Sequence, residues 1–256
     1  MRNAELSAAE RLVIALDIES DTEALRIVSE LKDSVGVFKV GLQLFTAYGP
    51  DIVRRITGMG GRVFLDLKYH DIPNTVAKAS AEAVKLGVSI FNVHSLGGLE
   101  MMKAAAESAK ETAEKLNLPV PAVLAVTILT SMDEKSMRKE IKITRSLQRE
   151  VTHLARLAQR AGMHGVVASP QEIKTLRRAV RGEFIILTPG VRPAWADKDD
   201  QKRVMTPGEA VKAGADYIVV GRPVLKAIDR KAAVQKILEE MNSQKTAERR
   251  RTTDDR

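Results

Sequence analysis

Eight short apolar runs punctuate the chain up to residue 222, and amphipathic segments fill the spaces between them. The runs are "LVIALD" (12–17), "VFKVG" (37–41), "RVFLDLK" (62–68), "SIFNVHS" (89–95), "AVLAVTIL" (122–129), "GVVAS" (165–169), "FIILTPG" (184–190) and "YIVVGR" (217–222). They are rich in Val and Ile and apolar at consecutive positions, the pattern of strands covered on both faces. Between them the spacing turns helical. Leu147, Val151, Leu154, Ala158 and Ala161 recur every three or four residues and so share one helix face. Ser20 and Glu23 have the spacing of a capping box ahead of the Leu25, Val28, Leu31 stripe. A junction also repeats, in "KLGVSIFNV", "RAGMHGVVA" and "KAGADYIVV". Each reads as a helix end, a glycine suited to a left-handed cap, then a strand.

Eight strands alternating with eight crossover segments imply a parallel sheet. At ~30 residues per unit they predict an α/β fold, the (β/α)8 or TIM barrel. An open doubly wound sheet competes, but "ALDIESDTEAL" at the first strand has no glycine for a dinucleotide turn. No linker interrupts the alternation, so residues 1–241 read as a single catalytic barrel domain. Residues 242–256 read as a charged, disordered tail, because "QKTAERRRTTDDR" has no core-forming residues.

The 256 residues are 44% hydrophobic, enough for a sizeable core. No apolar run approaches the ~18 residues that cross a bilayer. The start, "MRNAELSAAERL", is too polar for a signal peptide, and there is no cysteine for disulfides, thiol nucleophiles or metal thiolates. A cytoplasmic location is the default expectation. The net charge of +8 invites nucleic acid or a phosphorylated metabolite. Aromatics are only 4%, and no basic run is interleaved with them as in single-strand binders, which favours a small anionic substrate.

Barrel enzymes place their chemistry at the C-terminal ends of the strands. Here those ends carry Asp17, Lys39, Asp66 with Lys68, His94, Thr127 with Thr130, Ser169, Arg192 and Arg222. The densest stretch is "VFLDLKYHDIPNT" (63–75), with Asp66, Lys68, His70 and Asp71 within six positions. Asp66 and Lys68 are two apart, so an extended strand points both to one side. A buried salt bridge closing the barrel is the structural alternative, although such pairs stabilise little once desolvation is counted. Ion clusters at strand ends in clefts are preferred catalytic sites. An imine-forming lysine needs a neutral amine, whereas two neighbouring carboxylates favour ammonium. Proton donation, or stabilisation of developing negative charge, fits Lys68 better.

A phosphate grip is expected from the other end of the chain. "VVGRPVLKAI" puts Gly221 and Arg222 at the end of the eighth strand, with Pro223 opening a helix. "TPGVRP" supplies Gly190 and Arg192 after the seventh. Glycines let an anion approach the backbone and arginines offer forked donors, at a frequent phosphate position of this fold. Plain turn chemistry is the alternative for either glycine alone. The polar segment 192–207 reads as a surface loop or as a lid bringing Gln201 and Arg192 to the substrate. His70, His94, His153 and His164 show no tight ligand spacing, so no metal site is expected.

"FLDLKYHDIPNT" resembles the signature of the orotidine 5′-phosphate decarboxylases in their bacterial form. The resemblance extends over "IALD", "FKVG", "LTSM", "TPGVRP" and "YIVVGRP". The Asp-x-Lys-x-x-Asp core is shared with metal-dependent sugar-phosphate decarboxylases and synthases of the same barrel group; "HDIPNT" with "GVRP", Gln201 and "GRP" is more specific. The resemblance implies decarboxylation of orotidine 5′-monophosphate to uridine 5′-monophosphate, the last step of de novo pyrimidine synthesis, without metal or organic cofactor. It implies that Asp17 and Lys39 hold the ribose and the charged network. It also implies that Asp66, Lys68 and Asp71 form the catalytic array, with Lys68 protonating C6. Ile72 and Thr75 join the substrate contacts, and Asp71 and Thr75 complete the neighbouring subunit's site in a homodimer. Thr130 contacts the pyrimidine, with Ser131 as the alternative, and Arg192, Gln201, Gly221 and Arg222 grip the phosphate. A metal-dependent relative and, from another class, a basic nucleic-acid-binding protein are the competing functions.

Overall fold

The computed structural model describes residues 6–196 and 205–254, with side chains to residue 243. Eight parallel strands close into a barrel in chain order. They are β1 (Leu12–Ala15), β2 (Val37–Gly41), β3 (Val63–Tyr69), β4 (Ile90–His94), β5 (Ala122–Val126), β6 (Gly165–Val167), β7 (Ile185–Thr188) and β8 (Tyr217–Val220). Every apolar run of the sequence is one of these strands, and β8 pairs back onto β1 through Leu12 and Ile218.

Around the barrel lie α1 (Ala8–Arg11), α2 (Asp21–Leu31), α3 (Leu42–Gly58), α4 (Pro73–Lys85), α5 (Gly98–Leu116) and α6 (Glu134–Lys139). They are followed by α7 (Leu147–Arg160), α8 (Ile173–Ala179), α9 (Pro207–Ala213), α10 (Arg222–Leu225) and α11 (Arg230–Asp254). Neighbouring strand residues feed two separate cores. Val13, Val37, Phe64, Ile90, Leu124 and Leu187 fill the barrel, while Ile14, Phe38, Leu65, Phe91 and Ile186 pack outward against the helices. This double burial makes the runs apolar at every position. Deleting the fully buried Phe64 side chain would cost ~3–5 kcal/mol.

The repeated junction glycines behave as the sequence predicts. Gly87, Gly162 and Gly214 have φ of 72°, 78° and 110°, left-handed values that turn each helix toward its strand. Ser20 caps α2 by accepting the Glu23 N–H at 3.3 Å, but the expected box is only half made. The Glu23 carboxylate turns instead to Arg26 at 2.8 Å and to Arg230 of α11 at 2.7 Å, since two guanidinium donors outcompete one backbone amide. The segment from residue 242, expected as disorder, has helical backbone as far as Asp254, because α11 runs into it. No described helix is long and apolar enough to cross a membrane.

Candidate active site

The C-terminal mouth of the barrel encloses a cavity of about 320 Å³. One wall carries Asp17, Lys39, Asp66 and Lys68, from β1 to β3. The adjoining wall, since β8 pairs with β1, carries Gly190, Arg192, Gly221 and Arg222, which follow β7 and β8; a Cβ on Gly221 would stand 3.8 Å from Asp17 Oδ2. Thr130 follows β5. Nine of the residues predicted from the sequence therefore meet in one space, of which Lys39 and Arg192 are buried. Ser131 does not line the cavity, which leaves Thr130 as the β5 contact. Gln201 lies outside the described residues, as does the central part of the 192–207 segment. The end of that segment is tied down: Val191 bridges to Met205, and the Arg192 N–H donates to the Met205 carbonyl at 3.1 Å.

The charges form a chain. Lys39 Nζ lies 2.8 Å from Asp17 Oδ1 and 3.6 Å from Asp66 Oδ2, and Lys68 Nζ lies 2.7 Å from Asp66 Oδ1. Gly41, at the end of β2, leaves room for it, since a Cβ there would stand 3.0 Å from Lys39 Nζ. Burial alone would push the Asp66 carboxyl up. The charges of Lys39 and Lys68, with hydrogen bonds from Lys68 and Asn92, outweigh that and hold it below its ordinary value. Asp66 is thus a largely shielded carboxylate, its side chain 15% exposed, kept ionised by its neighbours. The cavity wall has four cations against two carboxylates, and the surplus sits on the β7–β8 side.

Asp66 and Lys68 meet, but not through the simple alternation of a pleated strand. Leu65 pairs with Phe91 and Tyr69 with Val93, so four residue steps of β3 are matched by two of β4. The surplus forms a bulge, and Lys68 within it has φ of 53°. A left-handed lysine costs ~1–3 kcal/mol, which surrounding structure must offset. Bulges re-aim side chains next to active sites.

Asn92 of β4 answers the bulge and is the polar residue of this charged cluster that the sequence reading missed. It is fully buried. Its Oδ1 accepts the Lys68 backbone N–H at 2.8 Å, and its Nδ2 donates to Asp66 Oδ1 at 2.7 Å. A signal was available: asparagine is depleted in strands, yet here it interrupts the apolar run "IFNV".

Asp71, Ile72 and Thr75 stand apart from this cavity. All three are exposed, with the Asp71 carboxylate accepting the Ile72 N–H at 2.7 Å just before α4. Around them is an apolar rim: Leu42, Ile72 and Leu96 follow the adjacent strands β2, β3 and β4 and are 57%, 65% and 41% exposed. His94 is no ligand. Burial, with the nearby His70 and Lys68 charges, pushes it down to about 4, and its Nδ1 accepts the Leu96 N–H at 3.3 Å. Thr127 and Ser169 have structural duties, Thr127 donating to the Val167 carbonyl and Ser169 capping a short helix with Glu172. Among the described residues, no cluster of three or more His, Asp or Glu side chains is arranged to hold a metal ion.

Two larger depressions lie on the outer surface, one between α7 and α8 and one beside α5, each about 530 Å³. The first has no carboxylate in its lining and the second holds only the solvent-exposed Lys103–Glu107 pair of one helix, at 3.8 Å. Size therefore does not mark the site; charges converging from several strand ends do.

A barrel whose mouth sets a lysine among carboxylates, in one cavity with glycines and arginines, defines a lyase-type class acting on a small phosphorylated substrate. Its family follows directly. The chain belongs to the orotidine 5′-phosphate decarboxylase / HUMPS family, whose model matches residues 10–237. An orotidine 5′-phosphate decarboxylase of Syntrophotalea carbinolica is 53% identical over 92% of this chain and 96% of its own length. One from Moorella thermoacetica is 49% identical over 92% and 94%. The crystal structure of orotidine 5′-phosphate decarboxylase from Lactobacillus acidophilus superposes with a TM-score of 0.79 at 37% identity, covering 90% of this chain and 98% of that one.

Proposed function

We infer that the barrel mouth carries out the family's decarboxylation, converting orotidine 5′-monophosphate to uridine 5′-monophosphate and CO₂ in pyrimidine biosynthesis. The observation that carries this reading is the Lys68 ammonium, 2.7 Å from an ionised Asp66, in one cavity with Gly190, Arg192, Gly221 and Arg222. With the phosphate held by those glycines and arginines, the base extends toward Lys68. The bond from C6 to its carboxyl carbon breaks, CO₂ leaves, and the electron pair stays on C6. No adjacent sink delocalises that pair. An ammonium fixed beside C6 stabilises it as it develops and then gives up a proton to form the C6–H bond. Asp66, facing the departing carboxylate, raises the ground state relative to that transition state. Phosphate contacts remote from C6, Arg192 among them, supply binding energy that orients the base, with Thr130 at its edge.

The site is completed by a second copy of the chain. Asp71, Ile72 and Thr75 are exposed beside an apolar rim, as residues serving a neighbour's cavity across a two-fold interface would be. The reaction needs no metal or organic cofactor, and the enzyme works in the cytoplasm beside its nucleotide substrate.

Incubation with orotidine 5′-monophosphate in excess chelator, following the loss of its ultraviolet absorbance, tests the reading. Full turnover is expected, and Lys68→Ala abolishes it while binding of uridine 5′-monophosphate survives. A flat trace from the unaltered chain overturns the activity, and a trace restored only by divalent metal points to the metal-dependent branch. Near-normal turnover by Lys68→Ala overturns the assignment of the lysine.

A further inference from the structure

We propose that Asn92 is a positioning residue for the decarboxylation, acting through both members of the Asp66–Lys68 pair; this rests on the reading of Lys68 as proton donor. The bulge in β3 takes the Lys68 amide out of the ladder with β4 and turns the residue left-handed. A buried amide without a partner is rare, and here the Asn92 side chain stands in for the missing strand carbonyl at 2.8 Å. The other end of the same amide donates to Asp66 Oδ1 at 2.7 Å, the oxygen that also receives Lys68 Nζ at 2.7 Å. Asn92 therefore fixes the backbone from which the lysine projects and the carboxylate that aims its ammonium. Only one orientation of the amide satisfies both bonds, because its oxygen must face the N–H and its nitrogen the carboxylate. Its complete burial leaves no water to substitute for it. Supporting groups of this kind hold reacting groups to within a fraction of an ångström, and small misplacements are costly.

The test compares Asn92→Ala, Asn92→Asp and Lys68→Ala for kcat, for uridine 5′-monophosphate affinity and for pH dependence. Asn92→Ala lowers kcat by about 100-fold. It changes nucleotide affinity less than about threefold, because the phosphate wall is untouched. Asn92→Asp keeps the acceptor for the Lys68 N–H but can donate to Asp66 only while one of the two carboxyls is protonated. The groups facing position 92 are Asp66 and Lys68 of β3, with Lys39 of β2 behind Asp66. His94 follows two residues along β4, and β5 presents the apolar Leu124. The kcat of Asn92→Asp therefore falls as pH rises through a range where the unaltered enzyme is flat, a limb that a packing role would not create. A kcat for Asn92→Ala within about threefold of the original overturns the proposal. So does an unchanged pH profile for Asn92→Asp, or loss of folding or of nucleotide binding in both variants. Turnover retained by Lys68→Ala instead overturns the proton-donor reading, so the two failures are told apart.

Discussion

The Lys39 ammonium lies 3.6 Å from Oδ2 of Asp66, while Lys68 bonds Oδ1 of the same carboxylate. Asp66 is thus flanked by a cation on each oxygen, and the two offset its burial. Removing Lys39 leaves burial less opposed, so the Asp66 carboxyl rises. Lys39→Met is expected to move the acid limb of the kcat/KM profile to higher pH and to lower its plateau by about 100-fold or more. A limb that stays in place, measured with folded protein, contradicts this role for Lys39.

His94 predicts a loss of stability in acid. Its folded value is about 4 against an ordinary 6.5, because burial disfavours the charged ring. Above pH 6.5 the ring is neutral in both states and nothing is lost. As pH falls from about 6.5 to about 4, the unfolded chain takes up a proton that the native chain refuses, and stability declines. The expected decline is on the order of 2 kcal/mol after screening. His164, also lowered by burial, adds to it in the same direction. Urea unfolding at pH 7.5 and pH 4.5 should show a smaller loss for His94→Asn than for the unaltered chain. Equal losses would show that His94 does not control it.

Glu172 has the opposite sign. Burial, opposed by the hydrogen bond from the Ser169 N–H, pushes it up to about 7 from 4.5. Below pH 4.5 it is protonated in both states. As pH rises from about 4.5 to about 7 the unfolded carboxyl ionises first, so the native state loses stability and stays lower above pH 7. Glu172→Gln keeps an acceptor for Ser169 without the charge. It should therefore be more stable than the unaltered chain at pH 8, by on the order of 1–2 kcal/mol, and indistinguishable at pH 4.5. A variant less stable at pH 8 would mean that the carboxylate is better solvated than its burial implies.

These residues also mark where the sequence is transparent and where it is opaque. Strands buried on both faces must be apolar throughout, so Val13–Ile14 and Phe64–Leu65 announce themselves even though each neighbour faces a different core. Asp66 and Lys68 were visible because charge at an apolar strand end is conspicuous. Their true relation was not, because alternation presumes a regular strand, whereas Lys68 is left-handed inside a bulge. Bulges are set by the partner strand, so the decisive residue, Asn92, lies 24 positions away. The half-made cap at Ser20 fails for a similar reason: Glu23 is drawn away by Arg230, distant in sequence and adjacent in space.

Completion of the site by a second subunit gives the most discriminating prediction. Lys68 lines its own cavity, whereas Asp71 is exposed at the rim and is proposed to serve the partner's. Lys68→Ala and Asp71→Ala should each be nearly inactive alone. In a mixed dimer, one site takes its lysine position and its aspartate position from the two altered chains and carries both lesions. The other takes both intact residues and carries neither. With random exchange of subunits half of the dimers are mixed, each with one intact site, so the mixture should recover about a quarter of the original activity. Unfolding and refolding the two variants together, against each refolded separately, provides the measurement. Each altered chain keeps its own fold, so recovery would come only from the exchange of subunits. No recovery, with mixed dimers verified by mass, would place Asp71 in the same subunit's site as Lys68 and would leave the exposed rim of Leu42, Ile72 and Leu96 without its proposed role.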